Sequence, residues 1–295
     1  MTATVRWLAL VASVLALATC TRPPVSSPRP PAEVAPPTET AASPSPASPP
    51  VVFAVKGDWG AGTRAQHDVT SAMCAAREEF GFRVVVTTGD NFYRPDGEAT
   101  PQNFFEPEQC LLSAGIEWRA SWGNHDRRGT STGRELGAEH TYRWKVDDVE
   151  FFVLDSNSAS SGEQTIWLDE GLGSSKARVK IAVFHHPPYT VGSEHPPDRR
   201  VLRNWVPLFR EHGVALVLTG HNHLYEHSVA DGIHYVVSGG GGAELYRCAD
   251  ESSLLIRCTE AHHFLVVEVS QRRILVRAIA PTGEAIDRFA IPLEE

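Results

Sequence analysis

Short apolar runs without polar alternation recur along the chain: Val51 to Val55, Val84 to Val86, Phe151 to Leu154, Val179 to Phe184 and Val214 to Leu218. Runs of this length, rich in β-branched residues and apolar on both sides of the pleat, predict strands of a sheet covered on both faces. Between several of them lie segments of helical character at 65–80, 163–172 and 199–212. Strand and helix alternate, which predicts an α/β sandwich. After Tyr225 the pattern changes to hairpin-like strands at Ile233 to Val237, Phe264 to Val269 and Ile274 to Ile279. No repeat of solenoid length is visible.

The first fifty residues follow a different pattern. Val5 to Ala18 is apolar apart from Arg6 and Ser13, and the run ends Leu17, Ala18, Thr19, Cys20. It is too short to span a bilayer comfortably and predicts a secretory signal over 1–20. Cys20 resembles the lipidated cysteine of a bacterial lipoprotein signal, so two expectations stand: attachment to the outer face of the cell membrane through Cys20, or plain secretion. Residues 21–50 hold 11 of the 21 prolines. Mixed with Ala, Ser and Thr, they cannot bury enough apolar surface to offset ordering entropy and predict a disordered linker. Residues 51–295 then form one domain.

Composition narrows the function classes. The chain is 42% hydrophobic and 21% charged, ordinary globular usage. A net charge of −9 excludes a broad electrostatic grip on nucleic acid, so any anionic substrate must be held by local positive charge. Beyond Cys20 there remain Cys74, Cys110, Cys248 and Cys258. In an exported chain these suggest two disulfides. The favoured pairing is Cys74 with Cys110 and Cys248 with Cys258, the second closing a short loop; buried free thiols are the alternative. No Cys-x-x-Cys spacing supports a cysteine metal or redox site.

The residues that follow the runs carry more chemistry than the runs. Val51 to Val55 leads into Gly57 and Asp58; Val84 to Val86 into Gly89, Asp90, Asn91, Phe92 and Tyr93. Ile116 to Trp122 leads into Gly123, Asn124, His125 and Asp126; Val179 to Phe184 into His185, His186 and Pro187; Val214 to Leu218 into Gly220, His221, Asn222 and His223. A single Gly-Asp pair is more often a turn. Five such clusters, all beyond the carboxyl ends of predicted strands, are expected to converge on one crevice. Asp58, Asp90, Tyr93, Asn124, His185, His221 and His223 offer nitrogen and oxygen donors suited to iron, manganese or zinc. They are too many for one ion, and two ions about 3.5 to 4 Å apart sharing a carboxylate would use them all.

As an ordered set the five clusters resemble the motif blocks of the calcineurin-like metallophosphoesterases. More narrowly, Gly57-Asp58-Trp59-Gly60 and Gly89-Asp90-Asn91-Phe92-Tyr93 resemble the small, tartrate-resistant type of purple acid phosphatase. The likeness runs over most of 51–295, including Leu154, Asp155, Ser156 and Ser238 to Gly241. It implies a four-layer α-β-β-α sandwich. It also implies that Asp58, Tyr93 and His223 hold a ferric ion, that Asn124, His185 and His221 hold a divalent iron, zinc or manganese ion, and that Asp90 bridges the two.

The implied activity is hydrolysis of small phosphomonoesters through a metal-bound hydroxide, with a visible colour from a Tyr93 phenolate on ferric iron. Phosphodiester or nucleotide hydrolysis on the same fold, and a non-catalytic metal-binding surface lipoprotein, are the alternatives. His125, beside Asn124, can protonate the departing alkoxide. His195 resembles a second histidine that contacts substrate.

Other residues carry plainer expectations. Of the adjacent pair, the His-x-Pro order favours His185 over His186 as the ligand. His227, His234, His262 and His263 lie outside the clusters and are expected at the surface or in packing. Gly239 to Gly242 lacks the Lys and Ser or Thr of a phosphate loop and is expected on the rim. Arg127 and Arg128 either attract anions there or are a solvated pair.

Overall fold

The computed structural model describes residues 49–249 and 251–294. The expected signal at 1–20, with Cys20, and all but the last two residues of the expected linker lie outside the described residues.

The first strands are β1 (Val51–Lys56), β2 (Val84–Thr87) and β3 (Glu117–Ala120). β4 (Tyr142–Val146), β5 (Val149–Val153), β6 (Val179–Val183) and β7 (Leu216–Thr219) follow. The last are β8 (Tyr225–Ala230), β9 (Ile233–Ser238), β10 (Leu255–Thr259), β11 (Phe264–Val269), β12 (Arg273–Ile279) and β13 (Ala285–Pro292). The helices are α1 (Arg64–Phe80), α2 (Gln109–Ser113), α3 (Ser131–Leu136), α4 (Gly162–Ser174), α5 (Arg199–Asn204) and α6 (Val206–Glu211).

A six-stranded sheet runs β13-β12-β11-β1-β2-β3 and a seven-stranded sheet β10-β8-β9-β7-β6-β5-β4. β1, β2 and β3 are mutually parallel, as are β5, β6 and β7. Side-chain alternation then builds the layers. Phe53, Val55, Val86 and Val267 of the first sheet share one buried core with Phe151, Val153, Ile181, Val183 and Leu218 of the second. Phe53 meets Phe151 edge-on at 5.0 Å across that interface. On the far face of the first sheet, Ala54, Val85 and Val266 pack with Val69 and Met73 of α1 and Leu111 of α2. On the far face of the second, Phe152, Ala182, Phe184 and Val217 pack with Leu168 and Leu172 of α4 and with Trp205 and Phe209. The result is the expected four-layer α-β-β-α sandwich. Its apolar runs are unbroken because both faces of each central strand are covered.

Local chemistry sets the helix limits. Thr63 caps α1 by accepting from the Gln66 N–H, and Gly81 ends it in the left-handed region at φ 70°. The helix expected over 199–212 is broken at Trp205 into α5 and α6, because Pro207 has no N–H to continue the ladder. Both disulfides form in the expected pairing: Cys74–Cys110 ties α1 to α2, and Cys248–Cys258 ties the segment after β9 to β10.

Candidate metal centre

The parallel strands of both sheets end at one edge, and the candidate ligands stand on the loops that follow. Three of those loops carry non-glycine residues at positive φ: Asp58 at 56°, Asp90 at 49° and His221 at 72°. Such backbone is uncommon for residues with a Cβ, and it turns each side chain sharply off the end of its strand. Two glycines make room for the carboxylates. A Cβ at Gly123 would collide with Asp90, and one at Gly220 would collide with Asp58.

All seven predicted donors gather there. One ligand atom each from Asp58, Asp90 and His185 lie within 4.8 Å of one another, and all three residues are buried. On one side, the Tyr93 hydroxyl is 3.2 Å from Asp58 Oδ1 and 2.8 Å from His223 Nε2. On the other, His185 Nε2 is 3.0 Å from Asn124 Oδ1, 3.1 Å from His221 Nδ1 and 3.3 Å from Asp90 Oδ2. Backbone carbonyls fix two of the imidazoles. His185 Nδ1 donates to the Thr88 carbonyl at 2.9 Å and His223 Nδ1 to the Glu244 carbonyl at 2.7 Å. A carbonyl only accepts, so both Nδ1 atoms carry the hydrogen and both Nε2 lone pairs face the centre.

The electrostatics ask for cations. Burial and then the charge of Asp58 push the Tyr93 phenol well above its ordinary range. Burial, then the neighbouring His185, pushes His221 down. Burial works against a charged Asp90 and a charged His185 alike, but their mutual attraction outweighs it, holding Asp90 low and His185 high. Carboxylates, imidazoles and a phenol with little access to water form the oxygen and nitrogen set that divalent and trivalent cations satisfy. These residues fit a metal pair.

Beneath the ligands lies a brace built on Asp126. Its buried carboxylate accepts from the Asn91 N–H at 2.9 Å, the Asn91 Nδ2 at 2.9 Å, the Gly123 N–H at 2.8 Å and the Phe92 N–H at 3.2 Å. It thereby locks the loop of Asp90 and Tyr93 to the loop of Asn124. Burial and the charge of Asp90 push its carboxyl up to about 7, while the Gly123 N–H opposes this. Asp126→Ala strands these donors in a buried site, and each unmet donor costs about 1–3 kcal/mol. Denaturant unfolding should show a loss of at least about 3 kcal/mol, and an unchanged midpoint would contradict this role.

The calcineurin-like phosphoesterase family model matches residues 51–225. The chain belongs to this family. Among curated proteins it is similar to purple acid phosphatase 17 of Arabidopsis thaliana, 28% identical over an alignment covering 67% of this chain and 70% of that protein. It is also similar to mouse tartrate-resistant acid phosphatase type 5, 23% identical with 83% and 91% covered. GAP50, the anchor in the inner membrane complex of Plasmodium, shares the fold with a TM-score of 0.72 and 18% identity, covering 84% of this chain and 90% of that one. That range of names on one calcineurin-like fold leaves function to the side chains of the site.

Around this calcineurin-like centre the remaining candidates take distinct places. His125 is exposed; its N–H donates to Asp90 Oδ1 at 2.8 Å and its ring lies 4.5 Å from that of Tyr93. His195 stacks on His221 at 3.8 Å. His186 turns its Nδ1 to the Ser156 hydroxyl at 2.7 Å, yet offers a nitrogen within 4.8 Å of ligand atoms of His185 and His221. Arg127 and Arg128 are exposed. His227 and His234 stack together against Phe289, away from the centre. The stretch Gly239 to Gly242 is buried, not on the rim: the Gly241 N–H donates to the Gly57 carbonyl at 2.9 Å and the Ala243 N–H to the Asp58 carbonyl at 3.0 Å. It backs the first ligand loop, and side-chain-free residues allow that approach.

Sequence reasoning missed Asp126 as a brace, Thr88 and Glu244 as imidazole anchors, and Tyr246, whose ring lies on His223 at 4.0 Å. Only Asp126 carried a signal, its place inside the third cluster.

Proposed function

We propose that the protein is an exported, binuclear-metal phosphatase of the purple acid phosphatase kind, acting on small phosphomonoesters. The observation that carries this is the convergence of seven donors from five loops into two adjoining sets about Asp90. Asp58, Tyr93 and His223 would hold one ion, Asn124, His185 and His221 the other, with Asp90 shared. Two such cations supply positive charge against the ester phosphate and acidify water.

The chain's own residues do the rest. The Thr88 and Glu244 carbonyls keep His185 and His223 in one tautomer and one orientation. Asp126 fixes the spacing of two ligand loops. His125, at the exposed edge of the site, gives a proton to the departing alkoxide. His195, whose backbone is held in both directions by the Asn222 carboxamide at 3.2 Å and 2.8 Å, contacts the bound ester. Export rests on the apolar leader ending at Cys20 and is supported by two disulfides, which persist in oxidising compartments. A role as a non-catalytic anchor is disfavoured by the exposed His125 beside a complete donor set.

The test is metal analysis with a visible spectrum of the oxidised protein, together with phosphate release from an aryl phosphate. Two ions per chain, a visible band that Tyr93→Phe abolishes, and turnover are expected. A fully loaded but colourless protein would remove the ferric–Tyr93 assignment; a loaded protein that hydrolyses neither mono-aryl nor bis-aryl phosphate would remove the phosphatase reading.

A further inference from the structure

Over the two sets of candidate ligands lies an outer layer of rings. Tyr246 lies flat on His223, 4.0 Å away and 15° from parallel. His195 lies flat on His221 at 3.8 Å and 19°. The two outer rings meet edge to face at 5.7 Å and 69°, forming one corner. Both are half-buried. Among the described residues neither the Tyr246 hydroxyl nor a ring nitrogen of His195 makes a hydrogen bond.

The corner is held stiffly. The segment of Tyr246 and the segment before His195 are zipped by Ser193 N–H to the Arg247 carbonyl and Ala249 N–H to the Val191 carbonyl, each 2.9 Å. The Tyr246 N–H donates to the His223 carbonyl at 2.9 Å, and Cys248, two residues on, is disulfide-bonded to Cys258 of β10. Rings fixed before a ligand arrives lose little freedom when it binds.

We propose that Tyr246 is a specificity-determining residue that favours phosphomonoesters of planar, aromatic alcohols by stacking against the alcohol's ring. The proposal rests on the phosphatase reading above. On this reading the ester's phosphate sits at the metal centre and its alcohol lies along the ring layer of Tyr246 and His195. An aryl group meets π faces there, whereas a short alkyl group cannot stack. Such a ring contact is worth roughly three- to tenfold in affinity.

The experiment compares phenylphosphonate with methylphosphonate for binding to the metal-loaded protein by calorimetry, and phosphotyrosine with phosphoserine for kcat/KM. Wild type, Tyr246→Phe, Tyr246→Leu and Tyr246→Ala are measured, with metal content of each. Preference for the aryl member is expected in wild type and Tyr246→Phe, falling about three- to tenfold in Tyr246→Leu and Tyr246→Ala with metal content unchanged. An unchanged preference in Tyr246→Ala, its loss in Tyr246→Phe, or loss of metal from both truncated variants, which would make Tyr246 a prop for His223, overturns the proposal. If wild type turns over neither ester but binds phenylphosphonate with the Tyr246-dependent preference, the phosphatase reading fails while the ring selectivity stands.

Discussion

Asp90→Asn should remove most of the bound metal and lower turnover by on the order of 10³ or more, the rate equivalent of several kcal/mol of charge stabilisation. Asn is nearly isosteric with Asp and tolerates the left-handed backbone at φ 49°, so the loop keeps its shape. Its amide oxygen can still accept the His125 N–H that Asp90 Oδ1 accepts at 2.8 Å. What disappears is one negative charge at the point nearest both donor sets, 3.3 Å from His185 Nε2 and grouped with Asp58 within 4.8 Å. Metal analysis and rates on one preparation check this. An Asp90→Asn protein that keeps two ions per chain and wild-type rates would show that Asp90 is not the shared ligand.

Much of the centre was legible because the chemistry sits where apolar runs stop. A strand covered on both faces has to be apolar to its end, so the first Asp or His beyond it stands out, as Asp58 does after Val55 and His185 after Phe184. The same logic fails for edge strands. β4 alternates half-buried and exposed positions through Tyr142–Val146, and β13 keeps one buried position, Ile291. Neither produces an apolar run. The β8–β9 hairpin turns through Asp231 and Gly232, both at positive φ.

Residues that act through long-range contact left no mark. Thr88 serves by its carbonyl, which any residue has; Glu244 likewise. Tyr246 comes to His223 only through the fold, and Gly239 to Gly242 reads as a loop on the rim until β9 carries it against the Asp58 loop. Of the adjacent pair, His185 is fully buried with its Nδ1 on a backbone carbonyl, whereas His186 turns its Nδ1 to the Ser156 hydroxyl.

His125→Ala separates chemistry from architecture. The tie between residue 125 and Asp90 runs through the backbone N–H, which alanine retains, and the imidazole is exposed. The change should therefore leave metal content intact and shift stability by no more than about 0.5 kcal/mol. Turnover of an alkyl phosphate should nevertheless fall about 10²- to 10⁴-fold, the usual worth of a positioned general acid. The loss should shrink with a nitrophenyl ester, because that leaving group departs as a stable anion and has little need of a proton. Comparing the two esters thus distinguishes proton donation from simple contact with the phosphate, which both esters share. An equal deficit on both would make His125 a phosphate-binding residue, and no deficit on either would remove it from the mechanism.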